Sequence, residues 1–148
     1  MILLEANLNF ILPVALLGAV VLFLLYRMYK MRHLLGGDAG PETSEHTLVL
    51  TDANFNKTIS KGVTLVDFWA PWCAPCRMQG PIINDLANDM QGKAQIGKLD
   101  VDKSKRVAAK LGIRNIPTIL VFKNGEIVKQ FVGVKPKNIL IKEIEKHL

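Results

Sequence analysis

Val63-Thr64-Leu65-Val66-Asp67-Phe68-Trp69-Ala70-Pro71-Trp72-Cys73-Ala74-Pro75-Cys76-Arg77-Met78-Gln79-Gly80-Pro81 decides how the rest of the chain is read, and it holds both of the protein's cysteines. The apolar run with β-branched Val63 and Val66 reads as a buried strand, which leaves Cys73 and Cys76 just past its end. Pro75 between them suits the first turn of a helix, where a missing N–H has no intrahelical partner to lose. The chain is therefore expected to pass from strand to helix at Ala74-Pro75, with Cys73 at the helix mouth. Free N–H groups and the positive end of the helix dipole favour a thiolate there. Cys76 is close enough to attack any mixed disulfide that Cys73 forms, so the pair can cycle between dithiol and disulfide.

Asp67 falls inside the apolar strand, where an ionised acid costs free energy unless it is paired. Burial raises its expected pKa toward neutrality, which suits a proton acceptor or donor. A structural aspartate capping a neighbouring group is the alternative.

The segment Asp67-Phe68-Trp69-Ala70-Pro71-Trp72-Cys73-Ala74-Pro75-Cys76 resembles the active-site segment of the thioredoxin family. The similarity runs from about Leu48 to Leu148. It takes in Pro81, Lys98-Leu99-Asp100-Val101-Asp102, Gly112-Ile113, Ile116-Pro117-Thr118, Phe122-Lys123-Asn124-Gly125-Glu126 and Gly133, in the family's order and spacing. Ala74 departs from the pattern, since members usually carry glycine there. The resemblance implies a cis proline at Pro117 beside the cysteines, with Ile116 offering its backbone to an extended substrate. Trp72, Ile116, Pro117 and the Val132-Gly133-Val134 turn would form an apolar rim, with Trp69 packed beneath. Lys98 matches the family's lysine near the buried aspartate and would modulate Asp67; a plain surface lysine is the alternative. Pro75 would modulate the pair from between the two cysteines.

At 148 residues and 49% hydrophobic content, one domain plus an appendage is expected. Phe10 to Tyr26 carries no charge, and its 17 residues would span roughly 25 Å as a helix, extendable through Leu8 and Asn9. Apolar residues occupy every face, which argues against a helix lying on a surface. Pro13 sits in the first turn, and Tyr26 and Tyr29 are placed for an interface. The alternative of a cleaved signal peptide is poorly matched, because the first nine residues carry only Glu5 and Val21 to Met31 offers no small residue. A single uncleaved transmembrane anchor is expected. Arg27, Lys30 and Arg32 come directly after it, which by the positive-inside rule keeps the domain on the cytoplasmic side.

The expected organisation is an anchor with its juxtamembrane segment over 1–35, a Gly/Pro-rich linker over 36–46 and a domain over 47–148. Within the domain, strands are expected at Thr47–Leu50, Val63–Ala70, Ala94–Leu99, Thr118–Phe122 and Ile127–Val132. Helices are expected at Asn54–Ser60, capped by Thr51 or Asp52, from Cys73 to about Met90 with a kink at Pro81, at Lys103–Leu111, and from Pro136 to Leu148. Asn124-Gly125 is a strong hairpin signal. Strands alternating with helices before a final hairpin and helix describe an α/β domain, a mixed five-stranded sheet flanked by helices. This is the thioredoxin fold that the resemblance implies.

A zinc site is the rival for any CxxC, but His33, His46 and His147 lie in the juxtamembrane, linker and terminal segments, and a second cysteine pair is missing. No metal and no cofactor is expected. Between Glu42 and Leu148 there are 16 Lys+Arg and 11 Asp+Glu, a net of +5 that is spread rather than clustered, so nucleic acid is not an expected partner. The favoured reading is a membrane-tethered protein-disulfide reductase in which Cys73 attacks, Cys76 resolves and Asp67 manages the proton. Its partners would be disulfide-containing substrate proteins, an upstream electron donor such as a thioredoxin reductase, and the membrane. Two alternatives stand beside it: an extracytoplasmic reductase of the cytochrome-maturation type, and a redox-inert binding module for a membrane partner.

Overall fold

The computed structural model describes residues 16–28, 30 and 43–148, and the chain divides into two compact units, Met1–Ala39 and Gly40–Leu148. In the first unit, residues 16–28 form a helix, α1, whose large apolar side chains are exposed at successive positions from Val20 to Tyr26. Among the described residues no helix is long and apolar enough to cross a membrane. Residues 8–15 of the expected span, Tyr29, Arg32, His33 and linker residues 36–42 lie outside the described residues.

The second unit is built on a five-stranded sheet. Its elements are β1 (Leu48–Leu50), α2 (Phe55–Ile59), β2 (Val63–Trp69), α3 (Ala74–Asp89), β3 (Gln95–Asp100), α4 (Lys105–Lys110), β4 (Thr118–Lys123), β5 (Glu126–Val132) and α5 (Lys137–Glu145). The order across the sheet is β1-β3-β2-β4-β5, with β1, β3 and β2 parallel and β4 and β5 antiparallel to their neighbours. Asn124 and Gly125 turn the hairpin with positive φ at both residues, as the sequence pattern requires.

Side chains alternate across each strand, so the sheet divides two cores. Val63 and Leu65 of β2 and Ile119 and Val121 of β4 face Ile83, Leu86 and Met90 from the α3 side and Leu140 and Ile144 of α5. Val66, Phe68, Leu120 and Phe122 face Phe55 and Ile59 of α2 and Val107 of α4. Phe55 lies edge-on to Phe122 with ring centroids 5.6 Å apart. The two-residue period carries Asp67 onto the same face as Val63 and Leu65, the one covered by α3. An acid is thereby committed to a core.

Two expectations are corrected. Asp52 does not cap α2; its carboxylate accepts from the backbone N–H groups of Val107 at 2.9 Å and Arg106 at 3.4 Å, satisfying the first turn of α4 instead. Ser104, the residue preceding α4, makes no side-chain cap bond, so that turn's donors take an acceptor from elsewhere. The last helix ends at Glu145, and Leu148 beyond it is exposed rather than packed. α3 continues through Pro81 without a break.

Candidate active site

β2 delivers the chain to the redox pair. Cys73 N–H donates to Ala70 O at 3.1 Å, which turns the backbone so that Pro71 and Trp72 project into solvent. Cys73 is the N-cap of α3, with an extended backbone, and its Sγ accepts the N–H of Cys76 at 3.2 Å. Pro75 lies within the first turn of the helix. The helix-mouth position expected for Cys73 is therefore the one it holds, with an otherwise unpaired backbone donor aimed at its sulfur. Cys73 and Cys76 are joined as a disulfide, with Cα atoms 5.2 Å apart, and are 4% and 1% exposed. Ala70, Cys73 and Cys76 form a small core of their own, flanked by Trp69, Val101 and Ile116.

Asp67 is 1% exposed and Lys98 2%. They are register partners across the parallel β2–β3 pair, and Ile119 of β4 flanks Asp67 on its other side. Among the described residues neither Asp67 Oδ1 nor Lys98 Nζ has a hydrogen-bond partner. Burial raises the Asp67 carboxyl from 3.8 to about 7, with the Lys98 charge pulling in the opposite direction. The same burial lowers the Lys98 ammonium, and the charge of Asp67 raises it. Lys98 is thus not the surface lysine of the alternative reading.

The rim residues also converge. Ile116-Pro117 is a cis peptide, Pro117 is buried and Ile116 half-buried against the two cysteines. Pro117 O accepts the N–H of Gly133 at 2.8 Å, which joins the end of β5 to the start of β4. Trp72, next to Cys73 in the chain, is 69% exposed, and Val132, the register partner of Thr118, is 49% exposed. Trp69 is half-buried on the cysteine cluster, consistent with packing beneath the site.

One contributor was not assigned a role from sequence. Asp102 Oδ2 accepts the indole Nε1–H of Trp72 at 2.8 Å. The turn that presents it is held by Asp100, whose Oδ1 accepts the N–H of Asp102 at 2.9 Å and whose O accepts Ser104 N–H at 2.8 Å. Both acids stand in the stretch Lys98 to Asp102, but a contact across 30 residues leaves no local pattern in a sequence.

Residues 46–146 match the family model Thioredoxin. The chain belongs to the thioredoxin family. It is 54% identical over 99 residues to the thioredoxin of Staphylococcus saprophyticus subsp. saprophyticus, covering 67% of this chain and 95% of that relative. It is 51% identical over 100 residues to the thioredoxin of Chlorobaculum thiosulfatiphilum, covering 66% of this chain and 93% of that relative. As a thioredoxin-family chain with a CxxC disulfide at the mouth of α3, it is a thiol-disulfide oxidoreductase. Membership in the thioredoxin family implies disulfide-containing substrates and a reductase that supplies electrons. The N-terminal unit lies outside the thioredoxin match.

Proposed function

We propose that this protein is a membrane-tethered protein-disulfide reductase whose thioredoxin domain works at the cytoplasmic face. The observation that carries the redox reading is the Cys73 Sγ capping α3. The N–H of Cys76 stabilises a thiolate on Cys73 better than a thiol, so Cys73 attacks a substrate disulfide. One substrate sulfur leaves as a thiol and the other is held on Cys73. Cys76 then gives up its proton and attacks Cys73, releasing the second substrate thiol and leaving the 73–76 disulfide. Asp67, with a pKa near 7, is suited to take the Cys76 proton at neutral pH, and Lys98 holds that pKa below what burial alone would give. An electron donor of the thioredoxin reductase kind returns two electrons to the pair. Trp72, Ile116, Pro117 and Gly133 receive the substrate, Ile116 through a short backbone pairing.

Support for the tether comes from the uncharged run Phe10 to Tyr26 and from α1, whose exposed apolar residues occupy consecutive positions and therefore every face. Such a helix has no polar side to give to water. Arg27, Lys30 and Arg32 favour a cytoplasmic placement for the thioredoxin domain.

The test of the function is turnover of insulin disulfides by the full chain with dithiothreitol as donor. Activity lost in Cys73→Ser supports the reductase. Unchanged complementation of a membrane partner by the same variant would instead favour the redox-inert binding module.

A further inference from the structure

Gln79 is 0% exposed, and a fully buried amide has to place its hydrogen-bonding groups on protein partners. It places them on a single residue. Its Oε1 accepts the N–H of Lys135 at 2.7 Å, and its Nε2–H donates to Lys135 O at 3.3 Å. The side chain thus makes the two-way exchange that a neighbouring strand would make, across 56 residues of sequence. Gln79 follows Cys76 by three positions on α3, so the two side chains share a helix face. Lys135 follows Gly133 by two, and Gly133 N–H donates to Pro117 O at 2.8 Å. A run of bonds therefore leads from the helix that carries both cysteines, through Gln79 and Lys135, to the turn at Gly133 and on to Pro117, whose neighbour Ile116 packs on the cysteines.

The connection from Gly133 to Pro136 has no helix or strand of its own. Gly133 N–H fastens the start of this stretch to Pro117 O, proline at 136 has no N–H to contribute, and between them Gln79 takes both amide groups of Lys135.

We propose that Gln79 is a positioning residue for substrate capture: it holds the Val132–Val134 turn in place beside the Ile116-Pro117 peptide that packs on the disulfide, and so favours extended protein disulfides over small ones. This rests on the reading of the protein as a protein-disulfide reductase with that turn in its rim. A small disulfide reaches Cys73 without using the turn, which separates the two reactions.

The test compares the full-length protein with Gln79→Met, which keeps the length and loses both bonds, and Gln79→Glu, which keeps the acceptor for Lys135 N–H and loses the donor to its carbonyl. KM and kcat are measured for insulin with dithiothreitol as donor. Oxidation of the reduced dithiol by hydroxyethyl disulfide is followed in a single turnover by tryptophan fluorescence. Losing two buried hydrogen bonds is expected to raise the insulin KM about tenfold in Gln79→Met, with a smaller rise in Gln79→Glu. The small-disulfide rate and the insulin kcat should change much less. Equal losses on both substrates, or no change on either, overturn the proposal. A wild-type protein that oxidises with hydroxyethyl disulfide but does not reduce insulin overturns the reductase reading instead. Should Gln79→Met fail to fold by circular dichroism, the Gln79→Glu comparison decides by the same criteria.

Discussion

Asp67 and Lys98 face each other across β2 and β3, both almost fully buried, and neither Asp67 Oδ1 nor Lys98 Nζ has a hydrogen-bond partner among the described residues. Opposite charges placed so are a costly arrangement for stability alone, because the desolvation of each is only partly offset by the other.

The Asp67 carboxyl has a pKa of about 7 in the folded protein, against 3.8 for an aspartate in water. Between these values the folded state keeps a proton that the unfolded chain has released. The stability contributed is therefore full below 3.8, declines as pH rises toward 7 and levels off above it. The span corresponds to no more than roughly 4 kcal/mol. Asp67→Asn should flatten this decline and raise stability above pH 7, part of the gain being offset because Lys98 loses the charge facing it. Urea unfolding of both proteins across this pH range measures it. The same variant should slow disulfide exchange near neutral pH, and an unchanged pH–rate profile would remove Asp67 from the mechanism.

Lys98 lowers the Asp67 pKa, so Lys98→Met should move the Asp67 titration upward from about 7. Carboxyl carbon chemical shifts followed by NMR read this directly. A titration that stays in place or falls would show that the two groups are not coupled.

Asp102→Ala should leave the fold nearly as stable as before, because the bond it removes joins an exposed indole and is worth about 1 kcal/mol. Trp72 would lose its fixed orientation at the rim. A higher KM for insulin with an unchanged melting temperature is the expected pair of results; an unchanged KM would confine the bond to surface structure.

Cys76→Ser should accumulate mixed disulfides with substrate proteins, since the residue that resolves them is gone, while Cys73→Ser should accumulate none. Diagonal gels of the two variants distinguish these outcomes. In the reduced wild type, faster alkylation of Cys76 than of Cys73 would reverse the assignment.

Topology is tested with a cysteine at Ser44 on a Cys73→Ser, Cys76→Ser background and a membrane-impermeant maleimide on intact cells. Protection until lysis is expected from the charges at Arg27, Lys30 and Arg32. Labelling before lysis would put the domain outside and promote the extracytoplasmic reductase.

Local chemistry made the sheet and the redox pair readable. Val63 to Trp69 is apolar enough to be a strand wherever it lies, Pro75 is compatible with the first turn of a helix, and Asn124-Gly125 tolerates the positive φ values that the hairpin needs. Cys73 and Cys76 are three residues apart, so helix geometry alone brings their sulfurs together. The family resemblance, not periodicity or composition, pointed to a cis bond at Ile116-Pro117.

Tertiary structure decided the contacts between residues far apart in the chain. Asp52 looked like a cap for the next helix, α2, yet its carboxylate serves α4 more than 50 residues on, because packing α2 and α4 on one face of the sheet put those unpaired N–H groups beside it. Trp72 with Asp102, and Gln79 with Lys135, are pairings of the same kind. The strand reading buried Asp67 and the family resemblance put Lys98 near it, but it is the register of β2 against β3 that sets the two directly opposite each other. A sequence specifies which groups need a partner through short-range propensity and burial; which partner each obtains depends on how the elements pack, and that is set by the whole core at once.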